Sequence, residues 1–149
     1  TVTRLTPNFT LAEFIRSDKA NELGISNMPA TAQHKSNLLL TAFGMEQVRA
    51  LFDRAITVTS GYRSPRVNAA VGGVNNSAHA LGLASDFTVR GMTPFDVATA
   101  IVASKLAFDQ VILETSRKVV HISFDPRLRR QALTQRGGAS TAVVNGIVR

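Results

Sequence analysis

At 149 residues the chain has the length of one domain, and 44% hydrophobic residues can supply an ordinary core. With 18% charged residues it does not read as disordered, and no apolar run approaches the roughly eighteen residues a membrane helix needs, so membrane insertion is not expected. Cysteine is absent, which excludes disulfides and thiolate metal sites and leaves only nitrogen and oxygen ligands. The net charge of +7 favours polyanionic partners: nucleic acid, an anionic membrane surface or an acidic cell wall. Much of the excess sits late, at Arg127, Arg129, Arg130, Arg136 and Arg149, where a solvated basic tail is the plainer reading. There is no zinc-finger spacing and no RNA-binding aromatic signature, so nucleic-acid binding rests on charge alone and no specific nucleic acid is expected.

Thr1–Leu5 does not read as a signal peptide, and without an initiator Met the start reads as processed. Thr10-Leu11-Ala12-Glu13 is a capping box that opens a short helix through Ile15. Asn27-Met28-Pro29 breaks the chain, and a long helix follows from about Thr31 to Asp53. Its expected apolar stripe is Leu40, Gly44, Val48, Leu51 and Ala55, with His34 and Glu46 as exposed helix residues. Ile56–Thr59 is β-branched and alternating, hence a strand. Ser64 and Pro65 then cap and open a short helix through Val71. Gly72–Asn76 reads as a flexible loop, and Ala84–Val89 as a β-prone run. Thr93-Pro94 starts a helix to about Leu106. Gln110–Glu114 and Val119–Ser123 read as paired strands around the turn Thr115–Lys118. With no repeat and no linker, residues 1–149 read as one α+β domain, with a core of about 9–125 and a basic tail, 126–149, that is either a flexible end or a last strand.

Within this frame His79, Asp86 and His121 form a candidate three-ligand set for a catalytic zinc, with a fourth position open to water. Pairing Glu114 with Val119 across the turn sets Ile112 opposite His121. Glu114 and His121 then share a face as diagonal neighbours, while Val111, Leu113, Val120 and Ile122 face the core. Zinc would lower the pKa of its water toward neutrality, and Glu114 is placed to take the proton and pass it on. Arg63, at a strand end, is a candidate to clamp a substrate carboxylate or polarise the scissile carbonyl. Plainer readings stand beside these: a structural strand histidine, a turn-capping aspartate, a salt-bridging arginine.

The motif Ser77-x-His79-x-x-Gly82-x-Ala84-x-Asp86, followed by the strand Val119-Val120-His121, resembles the zinc D-alanyl-D-alanine carboxypeptidase (VanY-like) group of peptidoglycan peptidases. It is most similar to the small phage-borne type that includes endolysins. Phe9–Phe14, Thr59–Ser64, Asn68–Gly73 and Phe108–Glu114 also look like that family, so the resemblance covers roughly Phe9 to Phe124. It implies a small antiparallel sheet with flanking helices and a zinc cleft, a fold shared with hedgehog-type signalling domains. It implies His79, Asp86 and His121 as ligands, Arg63, Tyr62 and Ser77 as residues contacting substrate, and stem peptides of bacterial peptidoglycan as partners. Many relatives carry an acidic residue three positions before the last histidine, where this chain has Lys118, and the face shared with His121 makes Glu114 the replacement candidate for catalytic base. The tryptophan of the family's last strand is missing, and Leu83 stands where a basic residue is common.

The leading expectation is therefore a monomeric zinc peptidase of phage or prophage lysis, or of the virion, which meets the cell wall when lysis releases it. The alternative is a zinc-containing binding or virion structural module on the same fold, which the Lys118 substitution keeps open. DNA binding through the tail is a third reading and predicts a strong salt dependence that survives removal of zinc.

Overall fold

The structure, a computed structural model, describes residues 3–74, 77–137 and 143–149. Strands β1 (Arg4–Thr6) and β2 (Phe9–Thr10) form a small antiparallel ribbon that leads into helix α1 (Leu11–Ile15). Thr10 and Glu13 make both halves of the expected capping box. Helix α2 (Asp18–Leu23) is capped by Ser17 and ends on the left-handed Gly24, a short element that sequence patterning did not reveal. The long helix α3 (Ala32–Phe52) is capped by Thr31 and terminated by Asp53, as expected.

A six-stranded sheet organises the rest, in the order β3 (Ile56–Ser60), β4 (Ala84–Val89), β6 (Val119–Ser123), β5 (Gln110–Glu114), β7 (Gln131–Gln135) and β8 (Val144–Asn145). All neighbours are antiparallel except β5 and β7, which run parallel, so the sheet is mixed rather than purely antiparallel. Residues 131–135 and 144–145 of the basic tail thus extend the sheet. Between the strands lie α4 (Pro65–Ala70), α5 (Ala78–Leu81) and α6 (Pro94–Ala103), which ends three residues earlier than expected. Asn75 and Asn76 of the expected loop, and residues 138–142 of the tail, lie outside the described residues.

The two sheet faces have different jobs. On one, Phe87, Val111, Leu113, Val120 and Ile122 are buried against Leu38, Ala42, Met45 and Val48 of α3 and Val97, Ala98 and Ile101 of α6. The other carries Asp86, His121, Ile112 and Glu114, of which the last three line the cleft.

The packed face of α3 differs from the expected stripe. Leu40 and Leu51 are 44% and 41% exposed, and Ala55 lies beyond the helix end. The face toward the core runs instead through Leu38, Thr41, Ala42, Met45 and Val48. Gly44 belongs to the contact because it has no side chain: a Cβ there would lie 2.4 Å from the Phe124 ring. His34 and Glu46 are half-buried rather than exposed, and each has a partner. His34 Nδ1 meets the Tyr62 hydroxyl at 2.9 Å, and Glu46 accepts from the backbone and side-chain nitrogens of Asn8.

Candidate metal centre

Strand pairing assembles the cluster. The β4–β6 register sets Asp86 directly opposite His121, and the β5–β6 register sets Ile112 opposite His121 and Glu114 opposite Val119. This is the hairpin register expected from alternation, and it puts the Glu114 and His121 side chains on one face. His79 arrives separately, on α5, whose single turn is capped by Ser77 Oγ accepting from Ala80 N and is ended by the left-handed Gly82. Only a residue that tolerates φ 80 fits at that cap, and a Cβ there would come within 3.0 Å of the His34 carbonyl oxygen.

One donor atom from each of His79, Asp86 and His121 lies within 4.8 Å of the other two. The side chains are 5%, 3% and 11% exposed. His79 Nδ1 is 2.7 Å from the Gly61 carbonyl, which can only accept, so Nδ1 carries the proton. In a neutral ring the Nε2 lone pair then faces Asp86 Oδ1 at 3.2 Å. Burial lowers the His79 pKa, and the opposing pull of Asp86 does not cancel it, so the neutral form is favoured. A lone pair facing a carboxylate oxygen at that distance is a contact that a cation resolves. His121 Nδ1 meets the same oxygen at 2.9 Å. Burial raises the Asp86 pKa, but in acid, where His79 takes up its second proton, the imidazolium charge and the hydrogen bonds from both rings outweigh it. The carboxyl stays far below its usual range, in the ionised form a metal requires. Two imidazoles and one carboxylate on a buried common centre are a donor set suited to zinc.

Around the cluster opens a cleft of about 430 Å³, lined by Arg63, Ser77, Glu114 and Arg117 among others. Glu114 Oε2 is buried with no hydrogen-bond partner. Burial and the Asp86 charge raise the Glu114 pKa, with His121, Arg117 and Arg63 opposing. Arg63 follows β3 and is half-buried. Its backbone N–H donates to the His79 carbonyl at 3.0 Å, and burial lowers its pKa.

Tyr62 is placed elsewhere than expected. It is 1% exposed, and its hydroxyl accepts from Ala30 N and pairs with His34, so it braces the core and does not reach the cleft. Lys118 is also turned away. At φ 58 it lies on the far side of the hairpin beside Phe95 and Leu113.

Sequence reasoning missed one residue that lines the cleft and one that supports it from behind. Asn68, 3% exposed, accepts from Ser77 Oγ at 3.4 Å and from Arg63 Nη1 at 3.5 Å, tying two cleft side chains to α4. Arg117, read only as a turn residue, sends Nη1 to within 3.5 Å of Glu114 and 3.6 Å of Asp86. No local pattern marks either contact, since the partners are distant in sequence or depend on the turn's conformation.

Comparison with known proteins agrees with this geometry. Over 80 residues the chain is 36% identical to a protein named zinc D-Ala-D-Ala carboxypeptidase from Streptomyces albus G, a match covering 53% of this chain and 30% of that protein. A family model described as Peptidase M15 matches residues 7–123, a span that contains every donor of the cluster and the Glu114 strand. By that match the chain belongs to the Peptidase M15 family.

Proposed function

We propose that the protein is a zinc-dependent peptidase that hydrolyses peptide bonds in the stem peptide of peptidoglycan, as a carboxypeptidase or an endopeptidase. One observation carries the reading: a buried His-Asp-His cluster shares its cleft with a carboxyl, Glu114, whose Oε2 is buried and unpartnered. His79 Nε2, Asp86 and His121 Nδ1 are the atoms that would hold the ion. Bound zinc would supply Lewis acidity and an acidified water.

The chain's own residues do the rest. Glu114 Oε2 takes a proton from the attacking water and returns it to the leaving amine. Its raised pKa suits a group that must both accept and give a proton. Arg63 polarises the scissile carbonyl from the cleft wall, and Ser77 with Asn68 positions the peptide beside it. The named activity of the Streptomyces albus G relative supports the substrate class, and the +7 charge suits an anionic wall. Among the described residues no helix is long and apolar enough to cross a membrane. We place the activity in phage or prophage lysis of the cell wall, or in the virion, carried by one monomeric domain.

The test is release of fragments from purified peptidoglycan. Chelator should abolish release, zinc should restore it, and the fragment masses should name the bond. Bound zinc without any release would support the binding module instead.

A further inference from the structure

We propose that Arg117 binds an acidic group of the substrate peptide at the rim of the cleft, and that the strand following the family match holds it there. The identity of the peptide rests on the peptidase reading above, whereas the placement of Arg117 rests on geometry alone.

Arg117 lies in the turn between β5 and β6, with its side chain 62% exposed, and it lines the cleft. Its two ion pairs, 3.5 Å to Glu114 Oε1 and 3.6 Å to Asp86 Oδ2, are long beside the roughly 2.7–2.9 Å of a tight charge-assisted bond. Both use the same nitrogen, Nη1, leaving Nε and Nη2 without a partner among the described residues. The guanidinium is therefore drawn over the cleft without being locked to either carboxylate. A cation shared by His79, Asp86 and His121 would take Asp86 as its own partner and leave the Arg117 fork to an incoming anion. A guanidinium matches a carboxylate through two parallel hydrogen bonds, which an ammonium cannot reproduce.

The turn is fixed by residues beyond the family match, which ends at residue 123. Thr115 donates to the Gln135 carbonyl from its backbone N–H at 3.0 Å and from its hydroxyl at 3.3 Å. Ser116 Oγ donates to the Gly137 carbonyl at 3.0 Å. Both residues before Arg117 are thus pinned to the end of β7. The left-handed Lys118 then sends its side chain to the opposite side of the hairpin, so of the turn's two cations only Arg117 reaches the cleft. Arg63 faces it as the half-buried cation of the same cleft. The two divide the work: Arg63 acts at the reacting carbonyl, Arg117 on a carboxylate.

Two sources of that carboxylate exist in a peptide, its C-terminus and an acidic side chain. The experiment uses a synthetic stem pentapeptide, one form amidated at the C-terminus and another amidated at the free carboxylate of the glutamate, with the zinc-loaded native, Arg117→Gln and Arg117→Lys proteins. For the unmodified peptide, Arg117→Gln should raise KM about tenfold with a much smaller change in kcat, and Arg117→Lys should recover part of the loss. Amidation at the recognised carboxylate should remove the difference between native and variant, and which amide does so names the source. An equal KM rise with every peptide, or no rise at all, overturns the proposal. If the native protein cleaves none of the peptides and releases nothing from purified peptidoglycan, the peptidase reading fails by itself. Calorimetric affinities for the same intact peptides then decide the role of Arg117 by the same pattern.

Discussion

At His79 a single hydrogen bond sets what the ring can do. The Gly61 carbonyl fixes the proton on Nδ1, burial favours the neutral ring, and Nε2 is left facing Asp86. Replacing either imidazole, His79→Ala or His121→Ala, should abolish stoichiometric zinc and lower the melting temperature, as read by metal analysis and thermal unfolding. Glu114→Gln should keep the metal and lose turnover by about a hundred- to ten-thousand-fold in a stem-peptide assay. The pH profile follows from the same residue. Glu114 must be ionised to accept a proton, and its pKa is raised above the ordinary value of 4.5. Activity should therefore rise with pH through a limb above that value, and this limb should vanish in Glu114→Gln. The members of the cluster were legible in the sequence because Ser-x-His and Ala-x-Asp flank a glycine cap. Arg117 and Asn68 were not, because their contacts depend on the path of a turn and of a loop.

Elements carry these atoms to one place, and here sequence reading succeeded where order is local. The hairpin register of Glu114 against Val119 follows from alternation across a four-residue turn and holds in the structure. Each helix start marked by Thr10, Thr31, Ser64 or Thr93 is found, because an N-cap is a local hydrogen bond. The face of α3 was misread for the opposite reason. Apolar residues lie on both sides of that helix, and the side that packs is chosen by a distant ring, Phe124, that fits over Gly44. Tyr62 was misassigned on its motif neighbours, whereas its hydroxyl is committed to His34 and Ala30.

Gly61 links α1 to the cluster. A Cβ there would lie 2.6 Å from the Phe14 carbonyl oxygen and 2.9 Å from its Cα, and backbone cannot swing aside as a side chain can. Gly61→Ala should cost about 1–3 kcal/mol of stability. It should also weaken zinc binding about ten- to a hundredfold, by displacing the carbonyl that orients His79. Chelator competition checks the second effect separately from denaturant unfolding.

Over the whole molecule, what stayed illegible was the parallel strand. β7 pairs with β5 across more than fifteen intervening residues of turn, strand and basic segment, and nothing in its own composition names that partner. Its approach is secured by a part-buried ion pair, with Arg129 Nε and Nη2 donating to the two oxygens of Asp109 at 2.9 and 2.8 Å. The hydrogen bonds from Arg129 hold Asp109 below its ordinary value of 3.8, against some cost of burial. A depressed carboxylate contributes stability that is complete above its unfolded pKa and is lost as pH falls through the folded one. Arg129→Ala should therefore be less stable than the native protein at pH 7, with the deficit shrinking on acidification below about pH 4. Denaturant unfolding at a series of pH values checks this.

The central claim is that His79, Asp86 and His121 hold zinc, and metal content tests it most directly. Native protein and His121→Ala, purified in parallel and dialysed against zinc-free buffer, should be measured by inductively coupled plasma mass spectrometry. Close to one zinc per native chain and almost none in the variant is the predicted result. A native protein without zinc, or a variant that retains it in full, would contradict the account.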